Sequence, residues 1–328
     1  MHNILIVGLG RLGSRYLEGL ASYKGELTIY AVDIRKNAHD SARMMYENAL
    51  GNRIKHNLIF IDELSKKIPN ELDIAIVAVT ADQRAKVVEL ILINSSVRYW
   101  LLEKILAQSA AELDSIIRLT SKSAGAWVHV PRRAMRWHQT LKTIVRSKRL
   151  LRMHVDGVSW DLATNSIHMI DLAEFLFDIK ISSLDTTGLN QFWHESRRDG
   201  FYEVNGSLLI QMNDGSKLIF NSESPTAGQS TENLRLMQPK IFCEFMDGES
   251  ITIDEGAGIA ELSTGKKIPG SLEYLSIMCA DLVKEILISG TSKLPQLANN
   301  INMHQVLLNG LLQHWNGVNG TEEVLPIT

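Results

Sequence analysis

The sequence is poor in cysteine, with only Cys243 and Cys279 among 328 residues. Each lies in an apolar stretch without a partner at metal-ligand or redox spacing, which counts against a thiolate metal site or a redox pair. Buried free thiols in a reducing compartment are the expectation. Long hydrophobic runs are missing too, none approaching the roughly 20 residues needed to span a bilayer. Neither charge is in excess: 34 basic and 37 acidic side chains leave a net charge of −3. No overall field therefore draws the chain to nucleic acid or to an anionic membrane. Internal repeats and low-complexity linkers are absent. The apolar residues 4–7 have no basic region before them and run directly into a glycine turn and Arg11. They read as a first strand and not as a signal peptide, and the expected compartment is cytoplasmic.

What is present is the composition of an ordinary globular protein, 45% hydrophobic and 22% charged. A chain of this length is too long for one core and suits two domains. Residues 3–7 read as a buried strand, and the helix after Gly13 turns Tyr16, Leu17, Leu20 and Ala21 inward. Further strands are predicted at 27–32, 58–61, 73–79 and 99–103, with a helix over about 83–93. Continuous apolar strands alternating with helices predict a doubly wound parallel sheet covered on both faces.

The style changes around residues 120–130. One more strand over 127–130 is closed by Pro131, and a helix-like stretch covers about 165–177. Beyond residue 200 the pattern is an antiparallel meander. Strands 207–212 and 217–220 flank Asn213-Asp214-Gly215-Ser216, and strands 240–245 and 250–254 flank Asp247-Gly248. Two helices close the chain, one with Leu272, Leu275, Cys279, Leu282 and Ile286 on one stripe.

Gly8-Leu9-Gly10-Arg11-Leu12-Gly13 fits the G-x-G-x-x-G pattern in the setting that gives it meaning, after a strand and at the start of a helix. Gly8 permits the tight turn, Gly10 admits a pyrophosphate to the backbone, and Gly13 lets helix and strand pack closely. The helix N-terminus offers amide donors and positive dipole to the phosphates. Asp33, 20 residues beyond Gly13 at the end of the second strand, suits the adenosine ribose hydroxyls and repels a 2′-phosphate. That favours NAD over NADP. Arg35, two residues on, is placed to stack on adenine or meet a phosphate, and so keeps NADP in view.

Glu103-Lys104 follows the fifth strand, at the carboxyl edge where ligands of such sheets bind. Here the chain resembles the Gfo/Idh/MocA family of sugar and cyclitol oxidoreductases, which carry Glu-Lys-Pro at this place. The likeness extends to Thr80-Ala81-Asp82-Gln83-Arg84, to Val128-His129-Val130-Pro131-Arg132-Arg133, and to His168-Met169-Ile170-Asp171, which is similar to the family's His-x-x-Asp helix. The resemblance implies an α/β protein with two parts. A Rossmann domain with a doubly wound parallel sheet covers residues 1–122. A C-terminal α+β domain with an open-faced, largely antiparallel sheet covers 123–328 and serves substrate and oligomerisation, the closing helices being free to pack back on the first domain.

Carried over residue by residue, the resemblance assigns the cofactor to the 8–13 loop, Asp33, Arg35, Thr80, Glu103 and Lys104. Lys104 orients the substrate hydroxyl and stabilises its developing charge, and His168 takes the proton. Chemistry supports both assignments, because alcohol oxidation needs a base that titrates near neutrality and a cation beside the forming alkoxide. On a helix Thr164, His168 and Asp171 share one face. Ile105 stands where the family has proline. Thr164 stands where many members have an aspartate that pairs with the histidine, and Asn165 is the neighbouring hydrogen-bonding candidate. Without the resemblance, Lys104 also reads as an exposed strand-end lysine, and His168 as a hydrogen-bonded helix histidine. Asp171 either contacts substrate or holds its helix.

From Arg132 to Arg152 the chain carries Arg132, Arg133, Arg136, Lys142, Arg146, Lys148, Arg149 and Arg152 with no acidic residue. The plain reading is a solvated helix face. The sharper one has Arg132 or Arg133 gripping a carboxylate or a nucleotide-sugar diphosphate. Polar stretches 193–199 and 222–233 are candidate loops over the substrate. The expected function is NAD(P)-dependent oxidation of a secondary hydroxyl in a sugar, sugar derivative or cyclitol, or the reverse reduction. The expected assembly is a homodimer or larger, with no nucleic-acid or membrane partner. The alternatives are a cofactor-binding sensor or scaffold without turnover, and a reductase of a conjugated non-sugar substrate. No metal is expected.

Overall fold

Strand β1 (His2–Val7) carries Ile4, Leu5, Ile6 and Val7 in succession, all buried, which only a strand covered on both faces accommodates. In the computed structural model, which describes residues 2–51, 53, 55–64, 67–225 and 238–328, it lies at the centre of a six-stranded sheet. Its companions are β2 (Leu27–Val32), β3 (Asn57–Ile61), β4 (Glu71–Val77), β5 (Ser96–Glu103) and β6 (Gly125–His129). The order is β3-β2-β1-β4-β5-β6 and every pairing is parallel. This is the doubly wound order, with its switch point between β1 and β4. The crossovers carry α1 (Arg11–Leu20), α2 (Lys36–Leu50), α3 (Ala81–Asn94) and α4 (Ala110–Thr120). Trp100 on β5 is fully buried in the core and anchors its indole N–H on Ser123 Oγ at 2.8 Å.

The chain divides into two units. The first runs to Ala107 and adds Ala111–Val130 and Glu273–Ile301. The second comprises Gln108–Ala110, Pro131–Leu272 and Asn302–Thr328.

The second unit begins with a 3-10 turn, Pro131–Ala134, and α5 (Arg136–Val145). Then come β7 (Leu150–Val158), α6 (Leu162–Phe177), β8 (Ile181–Asp185), β9 (Leu189–Glu195), β10 (Tyr202–Met212) and β11 (Lys217–Glu223). β12 (Lys240–Phe245), β13 (Ser250–Asp254), β14 (Ile259–Leu262) and β15 (Lys267–Pro269) complete a nine-stranded sheet of order β15-β14-β13-β12-β7-β11-β10-β8, with β9 paired to β10. α6 packs on β7, β10 and β11, over Met153, Val155, Leu208, Ile210, Leu218 and Phe220. Two helices close the chain. α7 (Leu275–Ser289) packs on α1, where the Cys279 thiol donates to the Tyr16 carbonyl at 3.4 Å, and α8 (Leu297–Asn319) follows. Cys243 and Cys279 are both buried free thiols. Among the described residues no helix is long and apolar enough to cross a membrane.

Three details differ from the sequence reading. The second sheet is not a pure meander, because β7 sits at its centre and pairs in parallel with β11. That strand is hidden in the basic stretch: Arg152, His154 and Asp156 point to one face while Met153 and Val155 point to the other. The outward charges find cross-strand partners, Arg152 Nε on Glu244 Oε2 and Asn221 Nδ2 on Asp156 Oδ1, both at 2.6 Å. Residues 193–195, read as a loop, belong to β9, where the Trp193 ring meets Trp315 edge-on at 5.2 Å. Of the second candidate loop, Ser222 and Glu223 end β11, and 226–233 lie outside the described residues.

A buried ion pair ties the 3-10 turn to the far end of β13. Arg132 donates Nε and Nη2 to Glu255 at 2.9 and 2.7 Å, and His138 Nε2 lies 3.1 Å from the same carboxylate. Burial opposes the charge on Glu255, but Arg132 and His138 outweigh it and hold the carboxyl down at about 2. Glu255→Ala leaves Arg132 buried without its counter-ion, and should lower the unfolding free energy by about 3–5 kcal/mol in urea. Asp178→Ala, which breaks the exposed Lys142–Asp178 pair, should leave the midpoint nearly unchanged.

Candidate active site

The turn between β1 and α1 is built on close approach. A Cβ on Gly13 would lie 1.7 Å from the Gly8 carbonyl oxygen, and Gly8 itself has φ +90. No other residue type fits either position without moving backbone. At Gly10 the nearest atom to such a Cβ is Arg35 Nη2 at 3.7 Å, so the backbone there faces open space. Gly10 is also the N-cap of α1, with no side-chain cap bond, and the first turn holds no acid. Bare amides at the positive end of a helix, reached past a residue without a side chain, fit a phosphate.

Asp33 stands beside this turn at the end of β2. Its Oδ2 accepts the Leu9 N–H at 2.7 Å, which locks the glycine loop to the second strand. Arg35 closes on the same carboxylate, Nε on Oδ1 and Nη2 on Oδ2, both at 3.0 Å. Burial alone would raise the Asp33 carboxyl, but the hydrogen bonds from Arg35 and the Leu9 amide hold it below the usual range. The Arg35 side chain is 58% exposed, so its fork withdraws into water at small cost. The loop, Asp33 and Arg35 form one cluster.

At the carboxyl ends of β4 and β5 the chain brings three further predicted residues together. Thr80 is the N-cap of α3. Arg84, on the first turn of that helix, is 1% exposed and donates to the carbonyls of Val79 and Ile105. It thereby clamps the turn after β4 to the turn that carries Lys104. Lys104 is half-buried, and its peptide bond to Ile105 is cis. Glu103 points the other way, into the protein, with only 3% exposed. Its Oε1 accepts the Tyr16 hydroxyl at 2.6 Å and pairs with His129 Nδ1 at 2.8 Å. Burial opposes the Glu103 charge, yet His129, Tyr16 and Arg84 overcome it and keep the carboxyl below the ordinary value. Burial and the Glu103 charge push the Tyr16 phenol well up. Sequence reasoning missed Tyr16 and His129 as polar partners. The signal was the register, since Glu103 and His129 lie opposite each other on β5 and β6.

The second unit presents α6. Thr164, His168 and Asp171 fall on one face as expected for i, i+4 and i+7. Asp171 is fully buried, and Arg133 grips it with Nε at 2.8 Å and Nη2 at 2.7 Å. Burial nevertheless raises the Asp171 carboxyl to about 6, the Arg133 charge offsetting only part. Both arginine forks expected to face an anion are thus engaged by buried carboxylates, Arg132 by Glu255 and Arg133 by Asp171. Asn165 Nδ2 is turned to the Trp160 carbonyl at 2.8 Å. Thr164 donates its hydroxyl to Glu203 Oε1, and Glu203 Oε2 accepts the Ala163 N–H at 2.8 Å. Glu203 is 1% exposed on β10 and was missed by sequence reasoning. Alternation gives no clue to it, because Glu203 is out of phase with the core residues Leu208, Ile210 and Met212 on the far side of Gly206, whose φ is +116. Among the described residues no group of three or more His, Cys, Asp or Glu side chains is placed to hold a metal ion.

Because the folded value of Asp171 lies above its ordinary 3.8, the charged form costs stability at neutral pH. That stability returns as pH falls through about 6 toward 4. Difference titration should show one proton taken up by the folded protein between pH 7 and 5 that Asp171→Asn does not take up.

No protein-family model and no curated protein matches the sequence. Solved structures do match. The transcriptional regulator Gal80p from Kluyveromyces lactis is 13% identical, with 96% of this chain and 92% of that chain covered and a TM-score of 0.67. For myo-inositol 2-dehydrogenase from Lactobacillus plantarum the values are 16%, 100%, 99% and 0.67. For myo-inositol dehydrogenase from Lactobacillus casei, solved with NAD(H) and myo-inositol, they are 13%, 97%, 96% and 0.67. The likeness at these identities is one of architecture: the chain has the two-part Gfo/Idh/MocA fold, a parallel Rossmann-type sheet joined to a mixed, largely antiparallel one.

Proposed function

We propose that this chain is a nicotinamide-dependent oxidoreductase acting between NAD(H) and a secondary hydroxyl, or the corresponding ketone, of a sugar, sugar derivative or cyclitol. The observation that carries the reading is the glycine turn at the β1/β4 switch point, with open backbone at Gly10 and Asp33 beside it. The first unit takes the cofactor and the second the substrate. The amides of Arg11, Leu12 and Gly13 bind the pyrophosphate. Asp33 takes the adenosine ribose once Arg35 swings aside, and its charge disfavours a 2′-phosphate. Thr80 and the Glu103–Lys104 turn line the same sheet edge. Bound NAD supplies the hydride acceptor.

The Lys104 ammonium hydrogen-bonds the substrate oxygen and stabilises the negative charge that develops there. His168 accepts the hydroxyl proton, a task suited to imidazole at neutral pH. Arg133 and Asp171 hold the face of α6 on which His168 stands. The inositol dehydrogenases of the same fold support a polyhydroxylated substrate. The open face of the second sheet, with Phe242 37% exposed beside His154, is the surface proposed for a second copy. A second reading is a cofactor-binding sensor without turnover. It is favoured by Arg35, which already fills the Asp33 carboxylate, and by the regulator among the similar folds.

Reduced-nicotinamide absorbance should be followed with a panel of sugars, cyclitols and nucleotide sugars. Lys104→Ala and His168→Ala should each lower kcat by about 100-fold or more while cofactor affinity is retained. Binding without turnover on any substrate selects the sensor, and turnover that survives His168→Ala selects a reductase of a conjugated substrate. Absence of calorimetric heat with both NAD(H) and NADP(H) defeats the whole reading. Asp33→Asn keeps an acceptor for Leu9 but removes the charge. It should shift the ratio of NAD to NADP affinity toward NADP by about tenfold, measured as two dissociation constants.

A further inference from the structure

Resting on that reading, we infer that Glu203 is the positioning carboxylate of His168, acting through the hydroxyl of Thr164. Glu203 lies near the start of β10, before the irregularity at Gly206, and is 1% exposed, where an acid survives only if its oxygens are bonded. Both oxygens turn to the first turn of α6: Oε2 to the Ala163 N–H and Oε1 to the Thr164 hydroxyl. The helix has no acid of its own in that turn, and its N-cap, Asp161, is left-handed and makes no side-chain cap bond. An ionised Glu203 there is also favoured by the helix dipole.

Capping alone would need only the Ala163 contact. The bond from Thr164 does more, because a hydroxyl whose proton is held by a carboxylate presents its lone pairs elsewhere. His168 lies one helical turn on, on the same face, where side chains four apart are neighbours. The charge of Glu203, brought within one helical turn of the imidazole by Thr164, favours the imidazolium. The other charged groups around α6 occur in matched sets. Asp171 is held by Arg133, Glu174 by Lys180, Asp178 by Lys142, Asp161 lies near Arg197, and Glu255 holds Arg132 and His138. Glu223, at the end of β11, is exposed to water. The aspartate that the family resemblance places at position 164 is thus replaced by a carboxylate reaching the same helix turn from β10.

The test is an NMR titration of the His168 imidazole, which needs neither substrate nor cofactor. Glu203→Gln should lower its pKa by about one unit, a tenfold loss of proton affinity. Thr164→Val should lower it too, and Thr164→Ser should retain the wild-type value. Thr164→Asp combined with Glu203→Gln should restore it. If the Gln variant does not fold, the Val and Ser pair decides. No movement in Glu203→Gln or Thr164→Val overturns the inference and leaves Glu203 a helix cap. Movement in Glu203→Gln alone overturns the role of Thr164. If a substrate is turned over, the acid limb of kcat/KM should move to lower pH in Glu203→Gln. A shifted titration without turnover on any substrate defeats the proposed reaction and leaves this inference standing. His168-dependent turnover without the shift does the reverse.

Discussion

The distance between Gly13 and the Gly8 carbonyl governs the first unit. With no Cβ at position 13, α1 enters the sheet edge almost in contact with the end of β1, and its N-terminal amides open at the switch point. Asp33 fastens the arrangement from the side by accepting the Leu9 amide. The glycines therefore supply space and the aspartate supplies rigidity. Neither alone holds the helix terminus open at the sheet edge. The same turn sets Tyr16 one and a half turns into α1, where its hydroxyl reaches Glu103 at the end of β5. A single close approach thus places both the open helix terminus and the polar support behind Lys104.

Carboxylates removed from water are the second constraint. Glu103, Asp171, Glu203 and Glu255 are all at most 3–4% exposed, and each is bonded to groups that the chain brings from elsewhere. The environments differ in sign. Arg132 and His138 hold Glu255 far down, whereas burial lifts Asp171 to about 6 despite Arg133. A deep ion pair of the first kind fastens the fold. One of the second kind lies close to titration at neutral pH, on the helix face that carries His168.

What the sequence revealed follows from how local each signal is. The glycine loop, its strand and Asp33 are separated by a few residues or one βαβ unit, so motif and periodicity suffice to read them. The doubly wound sheet was legible for the same reason. The partners of buried charges were not. Arg132 and Glu255 are 123 residues apart, and Thr164 and Glu203 are 39 apart. Glu203 falls out of step with Leu208, Ile210 and Met212, so the alternation of β10 reads it as an acid in water. β7 escaped notice because its outward face carries Arg152, His154 and Asp156, which blurs the alternation of the strand into a charge run.

The basic stretch shows how topology changes the meaning of composition. Read along the chain, eight cations without an acid suggest a surface waiting for an anionic partner. In space, five of them meet acids of the same chain among the described residues: Arg132 with Glu255, Arg133 with Asp171, Lys142 with Asp178, Lys148 with Asp247 and Glu249, and Arg152 with Glu244. Four of those acids stand on or beside β12 and β13, about a hundred residues later, so the local excess is cancelled by strand pairing and not by sequence neighbours. Arg132 and Arg133 illustrate the consequence for function. To grip a substrate anion, either would have to release a buried carboxylate, and leaving that charge unpaired costs several kcal/mol. The ion pairing therefore counts against Arg132 and Arg133 as the grip on a substrate anion.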